Sequence, residues 1–434
     1  MCLFLLLNGC GPEVREDGRV EIDYWEKWTG FERQAMADLV DKFNASQDEI
    51  FVKFLSVSNI DRKLMLATAG GNPPDLAGIW SVNVPTYAEN GALTPLDRFA
   101  EEYGITRDYY LPVLWDEITL HNRLWALPTT PGANALHWNK KLFREAGLDP
   151  DTPPRSIAEL EEFNDKITRL DDSGNIEILG HLPKEPGWWI ANWCYWFDGE
   201  LWNKDDQITA QHPGNLAALE WVATYPERFG PDKLMAFQEM SGNFASPQNP
   251  FFRGRVAMVI QGPWLYNFIN SFAPEDFEWG VAPFPTADPD DIGVSIVECD
   301  VVVIPKGAAH PDEAFKFIAW LQQQENIEQL NLGQQKFSPL AEVSDEFYEK
   351  HPNPNIMVYR KLAEHPNSVG RPRMPTYNDY NEDLVNAYDE VLRMNTTPKE
   401  ALEDVQARQQ KLFDRMYRRW QKVKDARMEE WDAQ

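Results

Sequence analysis

The chain has 434 residues, 43% hydrophobic and 25% charged; this ordinary globular balance supplies apolar material for two or three compact units and excludes disorder or a fibrous repeat for the bulk of it. Its 41 Lys and Arg stand against 69 Asp and Glu, a formal net charge of -28 that repels phosphate backbones and argues against nucleic acid as a partner. The 4 Cys form no CxxC pair and the 7 His show no paired spacing, so neither a metal nor another cofactor is expected.

In chain order, the apolar run before Leu7-Asn8-Gly9-Cys10 is too short to span a bilayer, which takes roughly 20 residues. The box resembles the end of a bacterial lipoprotein signal, cut before Cys and acylated there. That resemblance implies export and a lipid anchor at Cys10, and the lack of a preceding Lys or Arg points to a start upstream of Met1. Residues 1–19 are then signal and linker. Alternation from Val20 to Trp25 predicts a half-buried strand. Thr29-Gly30 opens a helix with Phe31, Met36, Leu39, Val40 and Phe43 near one face. A strand at Ile50–Leu55, a helix ending at Gly70-Gly71 and a strand at Leu76–Trp80 complete a parallel βαβαβ unit. Ligands of such sheets sit beyond the carboxyl ends of the strands, which places Trp28, Glu32, Trp80 and Asn83 on a candidate rim.

Further on, short strands are expected at Leu124–Pro128 and Leu136–Trp138, with helices at Lys140–Ala146 and Ile157–Arg169. Five Trp crowd residues 188–202. A helix at Asn215–Tyr225, strands at Val256–Ile260 and Asp300–Ile304 and a helix at His310–Gln324 follow. One long helix runs from Pro398 to about Trp431. Cys194 and Cys299 read as small buried side chains.

Four stretches carry a resemblance. They are Gly70-Gly71-Asn72-Pro73-Pro74-Asp75 with Asn90-Gly91-Ala92-Leu93; Ala126-Leu127-Pro128 with Asn139-Lys140-Lys141-Leu142-Phe143; Gly254-Arg255-Val256-Ala257-Met258 with Gly262-Pro263-Trp264; and Ile304-Pro305-Lys306-Gly307. In this order they resemble the sugar-binding family of extracellular solute-binding proteins of ABC importers, over roughly residues 20–420. The resemblance implies an α/β fold of two lobes, periplasmic-binding-protein-like (type II), with a hinge and an interlobe cleft. Crossings are expected near Thr129–Gly132, Gly293–Val297 and Pro339. Lobe one is then 20–130 plus 296–340, and lobe two 131–295 plus 341–434. A non-catalytic, exported, monomeric sugar receptor that hands a di- or oligosaccharide to a membrane permease is the implied function.

A pyranose offers an apolar face, which a Trp ring covers, and a rim of hydroxyls that carboxylates and amides pair with. Trp264 matches the family's cleft tryptophan in Gly-Pro-Trp. Trp28 and Trp80 at strand ends, and Trp189 and Trp193 in the Trp-rich segment, are the other stacking candidates; Glu32, Asn83, Thr129, Glu298 and Tyr377 are the polar ones. Two other readings stay open at this point. The same fold suits a polyamine or peptide cargo, and Glu298 with Asp300 is the one obvious carboxylate pair for a glycoside hydrolase.

Overall fold

The computed structural model describes residues 15–184, 190–203, 207–240 and 245–432. The alternation in the strand Val20–Glu26 buries Ile22, Tyr24 and Glu26 on one face. The helix Gly30–Ser46 lays Met36, Leu39, Val40 and Phe43 against that face, the spacing of an apolar helical stripe. The strands Ile50–Ser56 and Leu76–Trp80 flank Val20–Glu26 in parallel, completing the βαβαβ unit. The buried charge on this strand has a specific accommodation: a Cβ on Gly78 would come within 1.5 Å of Glu26 Oε2, so only glycine leaves the carboxylate room.

Two sheets result. In the first, the strand Ser295–Val303 pairs antiparallel with Leu76–Trp80 and with Leu127–Ala133, and parallel with Ser368–Val369. The second runs in the order Trp279–Ala282, Ala135–Asn139, Val256–Gln261, Ile176–His181, Arg169–Leu170. Each sheet is covered by helices around its own hydrophobic core, which is the two-lobed α/β architecture expected.

The hinge lies where the chain changes sheets. The first crossing is at Asn134, because Leu127–Ala133 stays paired with Ser295–Val303 through Ala133 and the next residue opens the other sheet. That is two to five residues beyond the expected Thr129–Gly132. The second falls between Ile296, in the second core, and Val297, in the first, at the start of Ser295–Val303. The third differs most. Pro339 does not leave lobe one, since the helix Ile356–Glu364 still packs Ile356, Tyr359, Leu362 and Ala363 into the first core. The crossing comes at residues 365–376, after which Tyr377–Leu392 joins the second core.

The final helix, Pro398–Asp432, belongs to both lobes. Its start buries Ala401, Leu402, Val405 and Phe413 in the second core, and its end buries Trp420 and Trp431 in the first. Trp420 stacks on His121 with centroids 4.4 Å apart, and Trp431 meets Trp125 edge-on at 4.7 Å. Ion pairs of Arg123 with Asp432 and Lys306 with Glu430 fasten the same end. His121 and Asn122 both adopt left-handed backbone, forming the tight turn between Thr119–Leu120 and Arg123–Leu124 on which Trp420 sits. Assigning all of 341–434 to lobe two is therefore corrected: the helix Ile356–Glu364 and the end of the last helix complete lobe one.

Candidate functional site

Between the lobes, in front of the hinge strands, lies a cavity of about 670 Å³. Lobe one contributes the ends of its parallel strands, Lys27-Trp28-Thr29 and Trp80, together with Glu32 and Asp61 from the starts of the two following helices. The hinge contributes Thr130, Gly132, Glu298 and Asp300, and lobe two contributes Trp264 and Phe268. Arg371 enters from the third crossing. A larger space of about 1010 Å³ opens beyond that crossing and shares only Arg371 with the first. Its walls come from the loops around Asp198–Trp202 and His365–Arg373 and from the Pro112–Ile118 helix, and it does not meet the carboxyl ends of Val20–Glu26, Ile50–Ser56 and Leu76–Trp80. The site argued from those strand ends is therefore the smaller cavity.

Charges line its floor in an alternating chain. Lys27 Nζ lies 3.0 Å from both Glu26 Oε1 and Asp300 Oδ1. Lys336 Nζ lies 3.2 Å from Asp300 Oδ2 and 3.1 Å from Glu32 Oε1. The Thr130 hydroxyl donates to Asp300 Oδ2 at 2.9 Å, and the Tyr24 hydroxyl to Glu26 Oε2 at 3.0 Å. Burial pushes the Asp300 carboxyl up, but the ammoniums of Lys27 and Lys336 outweigh it and hold the group at about 2. Burial likewise lowers Lys27 and Lys336, and the carboxylates beside each raise them further in return. Arg371 donates to Glu298 Oε2 at 3.0 Å and to the Tyr377 hydroxyl at 3.0 Å, so it ties the hinge to lobe two.

The aromatic groups occupy the walls. Trp80 is 44% exposed, with Lys27 Nζ 5.1 Å from its ring centroid. Trp28 is 4% exposed and belongs to the first core, so it offers the cavity little surface. Trp264 is half-buried, and its Nε1 donates to Gln261 Oε1 at 2.9 Å. A Cβ on Gly132 would come within 2.8 Å of its ring and one on Gly262 within 2.3 Å. The two glycines thus form the slot that sets the ring across the hinge.

Of the residues singled out from the sequence, Trp28, Glu32, Trp80, Trp264 and Glu298 come together on this cavity. Asn83 does not line it: the buried amide donates to Asp61 Oδ1 at 2.8 Å and accepts from Asn378 at 2.8 Å, so it holds another lining residue. Thr129 is buried on the far side of its strand and donates to the Asp300 carbonyl at 2.9 Å; its neighbour Thr130 faces the space. Tyr377 sits behind Arg371 and donates to Asn192 Oδ1 at 3.1 Å. Trp193 is corrected outright. It is fully buried among His181, Trp196, Trp221 and Phe284, with its Nε1 donating to Pro183 O at 2.8 Å. Trp188, Trp189 and Cys10 lie outside the described residues. Lys27, Asp61, Phe268 and Lys336 line the cavity without having been singled out. For Lys27 the signal was available, since it precedes Trp28 at the same strand end. Asp61, an acid in the first turn of the helix Ile60–Ala69, reads in sequence as a helix-dipole complement.

Among the described residues, no group of three or more His, Cys, Asp or Glu side chains is placed to hold a metal ion, and no helix is long and apolar enough to cross a membrane.

Residues 30–328 match the family described as bacterial extracellular solute-binding protein. A maltotriose-binding protein of Pyrococcus abyssi is 24% identical over 402 residues, covering 90% of this chain and 81% of that protein. An uncharacterized lipoprotein in the oleD 5' region of Streptomyces antibioticus is 28% identical over 344 residues, 76% of this chain and 73% of that one. Among solved structures, CpMnBP1 with mannobiose bound is similar with a TM-score of 0.77 and 27% identity, covering 89% of this chain and 98% of that chain.

Proposed function

The chain belongs to the bacterial extracellular solute-binding protein family, and from that premise we propose that it is the sugar receptor of an ABC importer, taking a di- or oligosaccharide in its interlobe cleft and handing it to a membrane permease. One observation carries this reading: Trp80 on lobe one and Trp264 on lobe two line a single cavity whose floor is made of hydrogen-bonding carboxylates and a hydroxyl. Two flat apolar surfaces around a polar floor match the faces and rim of a pyranose. A ligand touching both walls favours the closed arrangement by its differential affinity for that state; such hinge closure is among the behaviours generally ascribed to periplasmic binding proteins. The names of the maltotriose-binding and mannobiose-bound relatives support the cargo class.

Catalysis is not part of this function. The pair Glu298 and Asp300 does not supply the protonated acid that a hydrolase needs, because Asp300 is held at about 2 and Glu298 is engaged by Arg371. Export, with acylation at Cys10 and a monomeric receptor at the outer face of the membrane, completes the proposal. It rests on the Leu7–Cys10 box and on the lipoprotein named among the relatives. Metabolic labelling with a palmitate analogue should tag the full-length protein and fail in Cys10→Ser.

The deciding experiment is isothermal titration of mannobiose, mannotriose, maltotriose and cellobiose, with spermidine as the competing cargo. Saturable binding of a sugar, with no release of monosaccharide over hours, supports the receptor. Binding of spermidine alone, or turnover of a bound sugar, overturns it.

A further inference from the structure

The charges of the cleft do not balance. Three cations line it, Lys27, Lys336 and Arg371, against four carboxylates, Glu32, Asp61, Glu298 and Asp300. Each cation is already committed: Lys27 to Glu26 and Asp300, Lys336 to Glu32 and Asp300, Arg371 to Glu298 and the Tyr377 hydroxyl. Asp61 differs from the other three carboxylates in making no ion pair among the described residues; its Oδ1 accepts from the Asn83 amide at 2.8 Å. Its backbone is fixed as well, because the Tyr87 hydroxyl donates to the Asp61 carbonyl at 2.7 Å. Asn83 in turn accepts from Asn378 of lobe two at 2.8 Å, so the amide that holds the carboxylate is itself held by the other lobe.

We propose, resting on the sugar-receptor reading, that the cleft selects uncharged sugars against anionic ones, and that Asp61 is the residue that sets this discrimination and gives an amine-bearing sugar its preferred place. An anionic guest meets one more carboxylate than cation and can recruit a cation only by competing with the carboxylates that already hold it, of which Glu26 and Asp300 are buried, a cost that buried pairs impose steeply. Selectivity of this kind comes from an arrangement that penalises the wrong ligand, in addition to contacts with the right one. A hydroxyl or ammonium donor, by contrast, finds in Asp61 a pre-oriented acceptor whose remaining lone pairs are not engaged in an ion pair, and charge-assisted hydrogen bonds to such an acceptor are the stronger ones. Asn83 is the positioning residue for this group.

The test uses the full-length protein and whichever of mannobiose, mannotriose and maltotriose binds tightest. That sugar is titrated alongside the same sugar with a terminal C6 oxidised to the carboxylate and with a terminal C6 amine. The uronate is expected to bind at least 30-fold more weakly than the parent, and the amine at least as tightly. In Asp61→Asn the uronate deficit should shrink at least tenfold and the amine's advantage disappear. Should Asp61→Asn fail to fold, the wild type alone decides: the uncharged uronamide, nearly the same size as the uronate, must recover most of the deficit, as charge repulsion predicts and a steric misfit does not. A uronate within threefold of the parent, or a deficit that neither the uronamide nor Asp61→Asn relieves, overturns the inference while leaving the receptor reading intact. Silence of all three sugars overturns both.

Discussion

The two walls of the cleft are built from different materials. Lobe one brings charge, in the Glu26–Lys27–Asp300–Lys336–Glu32 chain, and one broadly exposed ring, Trp80. Lobe two, among the described residues, brings Trp264 and Phe268 with no ionised group on the cavity. Its own aromatic wealth is spent inside, where Trp193, Trp196, Trp221 and Phe284 pack against one another at centroid distances between 5.3 and 5.6 Å. Behind one wall the charges are mutually paired, and behind the other the rings are packed. On the proposed sugar-receptor reading, the difference gives orientation and selectivity to lobe one and apolar cover to lobe two.

The contrast can be broken from either side, and the largest effects should be on stability. Asp300→Asn removes the counter-ion shared by two buried ammoniums and should cost about 3–5 kcal/mol in urea unfolding at pH 7. Because the native carboxyl lies at about 2, below its ordinary 3.8, its stabilisation is complete above that ordinary value and is lost as pH falls through about 2. The wild-type advantage over the variant should shrink accordingly in acid. Trp193→Ala should cost a similar amount, about 3–5 kcal/mol, without the pH dependence, since it leaves a cavity and not an unpaired charge.

Glu117 sharpens the comparison within lobe one. It accepts from the Ser81 hydroxyl and the Arg371 backbone N–H, both at 2.9 Å, yet burial, opposed only in part by these contacts, pushes its carboxyl up to about 7. The native state therefore keeps a proton that the unfolded chain has already released, and stability should fall as pH rises from the ordinary 4.5 to about 7. The loss should amount to at most about 3 kcal/mol at pH 8. Thermal melts of Glu117→Gln should lack that decline. The smallest effect is on ligand: Trp264→Ala should weaken sugar binding by about 2 kcal/mol, roughly 30-fold, in calorimetry. Its unfolding midpoint should move much less than that of Trp193→Ala, because the ring is only half-buried.

What could be read in advance follows the range of the interactions. The first strand–helix alternation, from Val20 to Trp80, is local, and so is the placement of Trp80 at a strand end. The Trp264 slot also announces itself locally through Gly262-Pro263-Trp264, although its other side, Gly132, does not. The Trp-rich segment misled because aromatic density is the same signal in a core and in a cleft. What buried Trp193 was the arrival of Trp221 and Phe284 from elsewhere in the chain. Lys336 was beyond reach for the same reason: nothing around it shows that it will meet Asp300 and Glu32. The third crossing was misplaced because Pro339 marks a turn inside lobe one, and no local signal distinguishes a turn from a change of lobe.

The last helix has a consequence for how the protein is made. His121 and Trp125 wait for Trp420 and Trp431, roughly 300 residues later in a chain that emerges from the ribosome at about 5–20 residues per second. Over that interval the part of lobe one already made lacks both the Ser295–Val303 strand and the cover beside the Thr119–Leu124 turn. Lobe one is thus the first begun and the last closed, and an aromatic surface stays uncovered until the final helix reaches it.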